Sequence, residues 1–100
     1  MTTGFTVVEH PQFRAFMGSL RDAVARAAIV GRIKRMQAGN FGDWASVGGE
    51  LNELRIDVGA GWRVYYVRRG RLVIVLLTGG AKKTQDKDIR RASRLAAELD

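Results

Sequence analysis

Arginine, lysine and tyrosine recur at positions that two neighbouring predicted strands would place on one face. Arg55 lies in a predicted strand at residues 53–58, and Arg63 and Tyr65 lie in the next one, at residues 62–68. Because alternate side chains of a strand share a face, these three would point the same way. A guanidinium group offers phosphate oxygens a planar fork of donors, and an exposed tyrosine ring can stack on a base. Lys82 and Lys83 follow just after a further predicted strand at residues 72–78. We therefore expect this surface to bind a single-stranded nucleic acid.

The sequence lacks the motifs of most hydrolytic enzymes. It has no cysteine, a single histidine, His10, at a predicted helix start, and no HExxH, GxSxG or phosphate-binding glycine loop. The Asp and Glu spacing requires no metal ion, and we expect no cofactor. RNA carries its own nucleophile, the 2′-hydroxyl, so its cleavage needs in-line geometry, charge stabilisation and proton transfer. Arginine and lysine can supply the charge, a lysine among other cations can take part in proton transfer, and a larger partner would position the RNA.

Length and charge restrict the class of protein. One hundred residues with 46% hydrophobic content predict a single domain spanning residues 1–100. The net charge is +7, and residues 55–94 carry eleven Lys or Arg against three Asp or Glu, which favours a polyanion or an acidic protein as partner. The longest apolar run is six residues, and no signal-peptide pattern opens the chain. We therefore expect a cytoplasmic protein without a membrane segment.

The periodicity of the sequence predicts an α+β sandwich with the order β-α-α-β-β-β-α. A short strand over residues 5–9 precedes a helix that begins at Pro11 and a second helix that Asp22 caps. Residues 39–52 contain four glycines and predict a long loop. Three strands follow, and Thr84 is expected to cap the last helix. We expect the helices to pack on one face of a mainly antiparallel sheet.

The first predicted hairpin turns at residues 59–61 and sets which side chains face the helices. The interior face would consist of Leu54, Ile56, Val58, Trp62, Val64 and Tyr66. The opposite face would carry Arg55 across from Tyr65, and Asp57 across from Arg63. A register shifted by one residue would bury arginines beneath the helices, so the pattern protects this alternation.

The second predicted hairpin reverses this alternation. If Arg68 pairs with Arg71, then Val73, Val75 and Leu77 point toward the helices. The neighbouring aliphatic residues of the third strand would then lie on the open face. That face would combine an aliphatic floor with two arginines and a tyrosine, and no helix would cover it.

Four motifs, in order, carry a resemblance to a known family: ARAAIVGRI, GNFGD, ELRIDVGAGWRVYY and GGAKKTQDKDI. From about Phe13 to Ala97 the chain resembles the RelE/ParE toxin superfamily, and within it the HigB-like, phage Gp49-like branch of addiction module killer proteins. The resemblance implies the same β-α-α-β-β-β-α fold. It also implies a type II toxin that acts as a ribosome-dependent mRNA endoribonuclease and is neutralised by an antitoxin, often of the helix-turn-helix type.

The resemblance also implies site residues and partners. By motif position, the expected catalytic residues are Arg55, Arg63, Lys82 and Lys83. Gln85, which follows the lysines in the same motif, is expected to bind RNA; so are Tyr65, from its predicted place on the open face, and the neighbouring Arg68 and Arg69. The expected partners are a cognate antitoxin, the ribosome and its mRNA, while operator DNA would be reached only through the antitoxin.

Two other functions stay open at this point. One is a ParE-like poison of DNA gyrase without nuclease activity, which would cause cleaved DNA–gyrase complexes to accumulate. The other is a non-toxic member that only binds its antitoxin, or DNA with it, and would cause no growth arrest. A nuclease would instead leave new cuts in translated messages.

Overall fold

The protein forms one five-stranded sheet with three helices packed against it, and the computed structural model describes residues 4–99. The strands are β1 (Thr6–Glu9), β2 (Trp44–Gly48), β3 (Leu51–Ile56), β4 (Trp62–Arg69) and β5 (Val73–Ala81). The helices are α1 (Pro11–Ser19), α2 (Ala23–Gln37) and α3 (Gln85–Ala97), and a 3-10 turn (Lys82–Thr84) precedes α3. The strand order is β1-β5-β4-β3-β2, with β1 parallel to β5 and all other pairs antiparallel. The predicted α+β class and mainly antiparallel sheet are confirmed.

One strand lies where the sequence predicts a loop. β2 occupies part of residues 39–52, pairs antiparallel with β3 and forms one edge of the sheet. Ala45 and Val47 are half-buried between exposed neighbours. Gly48 and Gly49 have φ values of 125° and 55° and form the tight reversal into β3. The loop prediction is wrong here because the segment is rich in glycine and only two apolar residues, Ala45 and Val47, mark the alternation of the strand.

The helices lie on both faces of the sheet. Successive residues of β4 point to opposite faces: Val64 and Tyr66 pack with α1 and α2, whereas Tyr65 and Val67 pack with α3. The prediction that all helices share one face and leave the other open is therefore wrong. Because α1 and α2 already cover one face, the apolar side of α3 is buried against the other.

The central hairpin keeps the predicted alternation with a register shifted by two residues. Its even-numbered residues face α1 and α2, as predicted. Arg55 lies opposite Arg63, so the predicted pairs of Arg55 with Tyr65 and of Asp57 with Arg63 are wrong. The connection spans residues 57–61 and is longer than the predicted three-residue turn.

β5 presents its side chains in the opposite sense to the prediction. Arg69 pairs with Val73, so three residues and not two connect β4 to β5. As a result Ile74 and Leu76 face α1 and α2, and Leu77 faces α3. The predicted interior set of odd-numbered residues is therefore wrong. The single added loop residue reverses the parity of the strand as far as Leu76, and a bulge opposite Tyr65 and Tyr66 restores the predicted parity from Thr78 onward.

Local signals account for the ends of the helices with one exception. Asp22 accepts hydrogen bonds from the backbone N–H groups of Val24 and Ala25 at 3.0 and 3.1 Å, which confirms its predicted role as a cap. Thr84 makes no side-chain capping bond within residues 4–99, and its hydroxyl contacts Asp88. None of the helices described here is long and apolar enough to cross a membrane.

Candidate nucleic-acid interface

Arg55 and Arg63 lie opposite each other on β3 and β4 and line one open cleft. The cleft has a volume of about 220 Å³, and Lys82 from the 3-10 turn lines it as well. Two exposed carboxylates, Asp43 and Asp57, complete its wall. Within residues 4–99, no group of three or more His, Asp or Glu side chains is arranged to hold a metal ion. Three of the four cations predicted to be catalytic thus lie around one cavity, and their chemical role stays a prediction.

Glu53 organises this cleft from the buried side. Its side chain is 1% exposed, and it lies on the same face of β3 as Arg55. Its Oε2 accepts a hydrogen bond from Arg55 Nε at 2.8 Å and lies 3.7 Å from Arg63 Nε. Its Oε1 accepts a hydrogen bond from Gln85 Nε2 at 2.9 Å. A buried carboxylate is stable only when it is paired and hydrogen-bonded in this way.

The importance of Glu53 was missed in the sequence. The alternation that places Arg55 on the odd-numbered face of β3 places Glu53 there too, two residues earlier. That spacing was a usable signal, because a carboxylate and a guanidinium at i and i+2 of a strand share one face. Gln85, which was expected to bind RNA, instead connects the start of α3 to Glu53.

The Arg55 guanidinium is held at one end and exposed at the other. Its Nε binds Glu53, its Nη1 lies 3.6 Å from Asp43 Oδ1, and its side chain is 39% exposed. The hydrogen bond to Glu53 raises the pKa of Arg55 above its already high ordinary value. The group is therefore a permanent cation with a fixed orientation.

Arg63 is more enclosed than Arg55. Its side chain is 12% exposed, and its Nη1 donates to the carbonyl oxygen of Trp62 at 3.3 Å. Its Nε is buried and has no hydrogen-bond partner among residues 4–99. Arg55 and Arg63 share the one buried carboxylate of Glu53, and Arg55 also lies 3.6 Å from the exposed Asp43. Arg63 has no hydrogen bond to a carboxylate within residues 4–99, so its guanidinium can bind an anion that enters the cleft.

The two lysines of the 3-10 turn differ in whether they line the cleft. Lys82 lines the cleft, and its backbone N–H donates to the carbonyl oxygen of Gly61 at 2.6 Å, which holds the turn beside the hairpin loop. Lys83 is also exposed but lines the neighbouring depression along the start of α3. The cleft therefore contains Lys82 and not Lys83.

A buried carboxylate supports this turn from below. Asp88 is 4% exposed, and its Oδ2 accepts a hydrogen bond from the Thr84 hydroxyl at 2.6 Å. A Cβ atom at Gly80 would lie 1.9 Å from the same oxygen, and one at Gly79 would lie 2.5 Å from the ring of Phe16. Gly80 is thus required for close packing beneath the lysines, and Gly79 for close packing against α1.

Tyr65 does not present a ring to solvent. It is fully buried and packs with Val67 and Leu77 beneath α3. Burial raises the pKa of Tyr65, and its hydroxyl has no hydrogen-bond partner in the described part of the chain. The predicted stacking role of Tyr65 is wrong because α3 covers this part of the sheet. Tyr66 is buried on the other face, where desolvation raises its pKa to about 12.

Arg68 and Arg69 lie at the opposite end of β4 from the cleft. The Arg68 Cζ stands 5.0 Å from the ring centroid of Phe5 and 5.2 Å from that of Phe41, in cation–π contact with both. Arg69 forms an ion pair with Glu50 at the reversal between β2 and β3. The structure does not bring either arginine to the cleft, so any contact with RNA would lie outside it.

Two comparisons with known proteins cover most of the chain. The sequence profile of the family described as phage derived protein Gp49-like (DUF891) matches residues 16–98. An uncharacterized protein of Haemophilus influenzae is 49% identical over 87 residues, which are 87% of this chain and 88% of that protein. The region that the family profile matches contains every residue that lines the cleft.

Proposed function

We propose that this chain, which belongs to the Gp49-like family of phage-derived proteins, is the toxin of a type II toxin–antitoxin system and cleaves mRNA on the ribosome. The family is a toxin-like group of the RelE and HigB type. One observation carries the finer proposal: Arg55 and Arg63 are opposed on neighbouring strands around one open cleft, with Lys82 lining the same cavity. This arrangement suits a single phosphate with ribose on either side.

The proposed reaction is internal transesterification of RNA. The 2′-oxygen of one ribose attacks the adjacent phosphorus, and the 5′-oxygen of the next nucleotide leaves. The bond from phosphorus to the 2′-oxygen forms as the bond to the 5′-oxygen breaks. The products are a 2′,3′-cyclic phosphate and a 5′-hydroxyl; the proton of the 2′-hydroxyl passes to solvent water, and the leaving 5′-oxygen gains a proton.

The arginines would stabilise charge that develops on the phosphate oxygens. Preorganised donors are effective because they need no rearrangement during the reaction. Glu53 provides this preorganisation by fixing Arg55 and by lying close to Arg63. Lys82 would stand at the rim, where its ammonium group can donate a proton to the leaving 5′-oxygen. Lys83 would contact the neighbouring phosphate from the adjoining depression.

The ribosome would supply the in-line geometry. The cleft is small and open, so it cannot by itself force a flexible strand into the attacking conformation. Glu53 is engaged by both Arg55 and Gln85 and is therefore a positioning residue. A translated message held in the ribosome would arrive with its backbone already constrained.

We further propose a cognate antitoxin, of the helix-turn-helix type, as the protein partner. The net charge of +7 favours an acidic antitoxin segment. Such a segment would cover the cleft or pack in a groove beside it. Operator DNA would be reached only through the antitoxin.

The test is induced expression in a bacterial host with primer extension on translated messages. Wild-type protein should arrest growth and produce new cuts, whereas Arg63→Ala should do neither and still bind the antitoxin. Arg21→Ala removes an exposed cation next to α2 and serves as the matched control. Growth arrest with intact messages and cleaved DNA–gyrase complexes would indicate a gyrase poison. No arrest by the wild type would indicate a member that only binds its antitoxin.

A further inference from the structure

One side of α3 carries a row of cations without acidic partners. Lys87, Arg90, Arg91 and Arg94, here called the α3 ridge, follow the spacing i, i+3, i+4, i+7 and so fall within an arc of about 100°. Lys87, Arg90 and Arg94 are exposed, and Arg91 is half-buried. Among residues 4–99, no carboxylate forms an ion pair with any of them, including Glu98 one turn beyond Arg94.

Several other arginines have internal partners, although Arg21, Arg35 and Arg71 also make no side-chain hydrogen bond or ion pair within residues 4–99. Arg14, Arg26 and Arg32 donate to backbone carbonyl oxygens, and Arg69 binds Glu50. The α3 ridge makes no side-chain hydrogen bond in the described chain. Like charges one turn apart destabilise a helix, so the row is unfavourable for the free protein and would be relieved by a bound polyanion.

The α3 ridge is continuous with the cleft. Lys82 lines both the cleft and an adjoining depression, whose wall also includes Lys83, Lys87, Arg90 and one carboxylate, Asp86. Lys87 in turn lines the next depression together with Arg91. The α3 ridge itself extends about 10 Å along the helix axis. Cations therefore follow one another from Lys82 to the last turn of α3, and within residues 4–99 Asp86 is the one exposed carboxylate in the depression between them.

The chemistry of the α3 ridge favours a nucleic acid over a protein. In the described part of the chain, the exposed large apolar side chains are Val8, Val24, Val30, Trp44 and Leu72. All of them lie outside α3. Protein interfaces are organised around buried apolar or aromatic anchors, whereas a single strand binds through phosphates that Lys and Arg neutralise.

We propose that the α3 ridge is a second RNA-binding surface, which receives the strand as it leaves the cleft. This inference rests on the proposed function, because the cleft must hold RNA for the same strand to continue along α3. The α3 ridge would contribute affinity and set the direction of the strand. The cleft residues would carry out the cleavage.

The test compares two triple variants of equal net charge. The ridge variant is Lys87→Gln, Arg90→Gln and Arg94→Gln, and the control variant is Arg21→Gln, Lys34→Gln and Arg35→Gln at exposed positions next to or on α2. The binding of oligouridine RNA, as a tetranucleotide and as a dodecanucleotide, is measured by fluorescence anisotropy over a range of salt concentrations. The tetranucleotide occupies only the cleft, whereas the dodecanucleotide also reaches the α3 ridge.

We expect the ridge variant to lower the salt slope of dodecanucleotide affinity by about two units, since each lost phosphate contact on a single strand accounts for about 0.7. Tetranucleotide affinity should not change, and the control variant should behave as wild type with both probes. If thermal melting shows that the triple variant is unfolded, Arg94→Gln alone should lower the slope by about 0.7.

An unchanged dodecanucleotide slope overturns the inference, as does an equal loss in the control variant. Unchanged RNA affinity with weakened antitoxin binding also overturns it and assigns the α3 ridge to the protein partner. A different result would refute the proposed function. If Arg63→Ala still arrests growth while the ridge variant loses dodecanucleotide affinity, the second RNA surface stands and the assignment of cleavage to the cleft does not.

Discussion

Arg55 Nε donates a 2.8 Å hydrogen bond to the carboxylate of Glu53, whose side chain is only 1% exposed. The same oxygen lies 3.7 Å from Arg63 Nε. One buried charge therefore holds two opposed guanidinium groups on neighbouring strands. Without it, the two cations would face each other with only the exposed Asp43 and Asp57 as described carboxylates around the cleft.

Removal of Glu53 should destabilise the fold strongly. We expect Glu53→Ala to lower the free energy of unfolding by about 2–4 kcal/mol, because breaking a buried ion pair leaves uncompensated charge. Glu50→Ala breaks the exposed pair with Arg69 and should cost less than about 1 kcal/mol. Urea unfolding followed by circular dichroism measures both. Equal small losses would show that Glu53 does not organise the arginines.

Removal of the Tyr65 hydroxyl should not destabilise the protein. The group is buried without a hydrogen-bond partner in the described chain, and an unsatisfied buried polar group is unfavourable by about 1–3 kcal/mol. We therefore expect Tyr65→Phe to leave the free energy of unfolding unchanged or to raise it by about 1 kcal/mol. A loss of stability in urea unfolding would instead reveal a hydrogen bond to this hydroxyl.

Stability should fall in alkaline solution. Burial raises the pKa of Tyr66 to about 12, above the value of about 10 in an unfolded chain. Between these values the unfolded state releases a proton that the folded state retains, so the contribution is full below about pH 10 and is lost as the pH rises toward 12. Tyr66→Phe should flatten this part of the curve of unfolding free energy against pH. A curve with the same slope in both proteins would contradict the assignment.

Replacement of glycine by alanine should have opposite effects on stability at the crowded Gly80 and at the open Gly18. Gly80→Ala places a methyl group 1.9 Å from Asp88 Oδ2 and should destabilise the protein by about 1–3 kcal/mol. Gly18 lies near the end of α1 with no described atom within 4 Å of an added Cβ, so Gly18→Ala should stabilise by about 0.5–1 kcal/mol. Thermal melting distinguishes them, and a tolerated Gly80→Ala would mean that Asp88 moves freely.

The adjacent lysines should differ in their effect on RNA cleavage. Lys82 lines the cleft and Lys83 does not. Loss of one charge-stabilising donor typically lowers a rate by about 10²–10³, so Lys82→Ala should approach this range. Lys83→Ala should change it by less than about tenfold. Primer extension at matched expression measures both rates, and a larger effect at Lys83 would move the reacting phosphate toward α3.

The facing of the central strands could be predicted from sequence because it depends only on alternation. Arg55 and Arg63 stay on one face whether the register is the predicted one or is shifted by two residues. Loop lengths are less well encoded, and one extra residue between β4 and β5 reversed the predicted facing of β5. Edge strands are similarly hidden, since β2 shows only Ala45 and Val47 as inward positions.

The predicted role of Tyr65 failed for a different reason. The apolar stripe of α3 predicts that one side of the helix is buried, but it does not say which face of the sheet receives it. Tyr65 could therefore be assigned to the odd-numbered face correctly and still be taken as exposed. Glu53 was missed because its partners come from β3, β4 and α3, and such a convergence depends on the tertiary register.

The hydrogen bond between Gln85 and Glu53 links the candidate cleft to the position of α3 on the sheet. Gln85 is the first residue of α3, while Glu53, Arg55 and Arg63 belong to the sheet. A chain truncated before residue 85 would keep every cation of the cleft and yet open its buried carboxylate to water. Glu53 would still bind Arg55 but would lose its hydrogen bond from Gln85, so the helix stabilises the geometry of a site to which it contributes no charge.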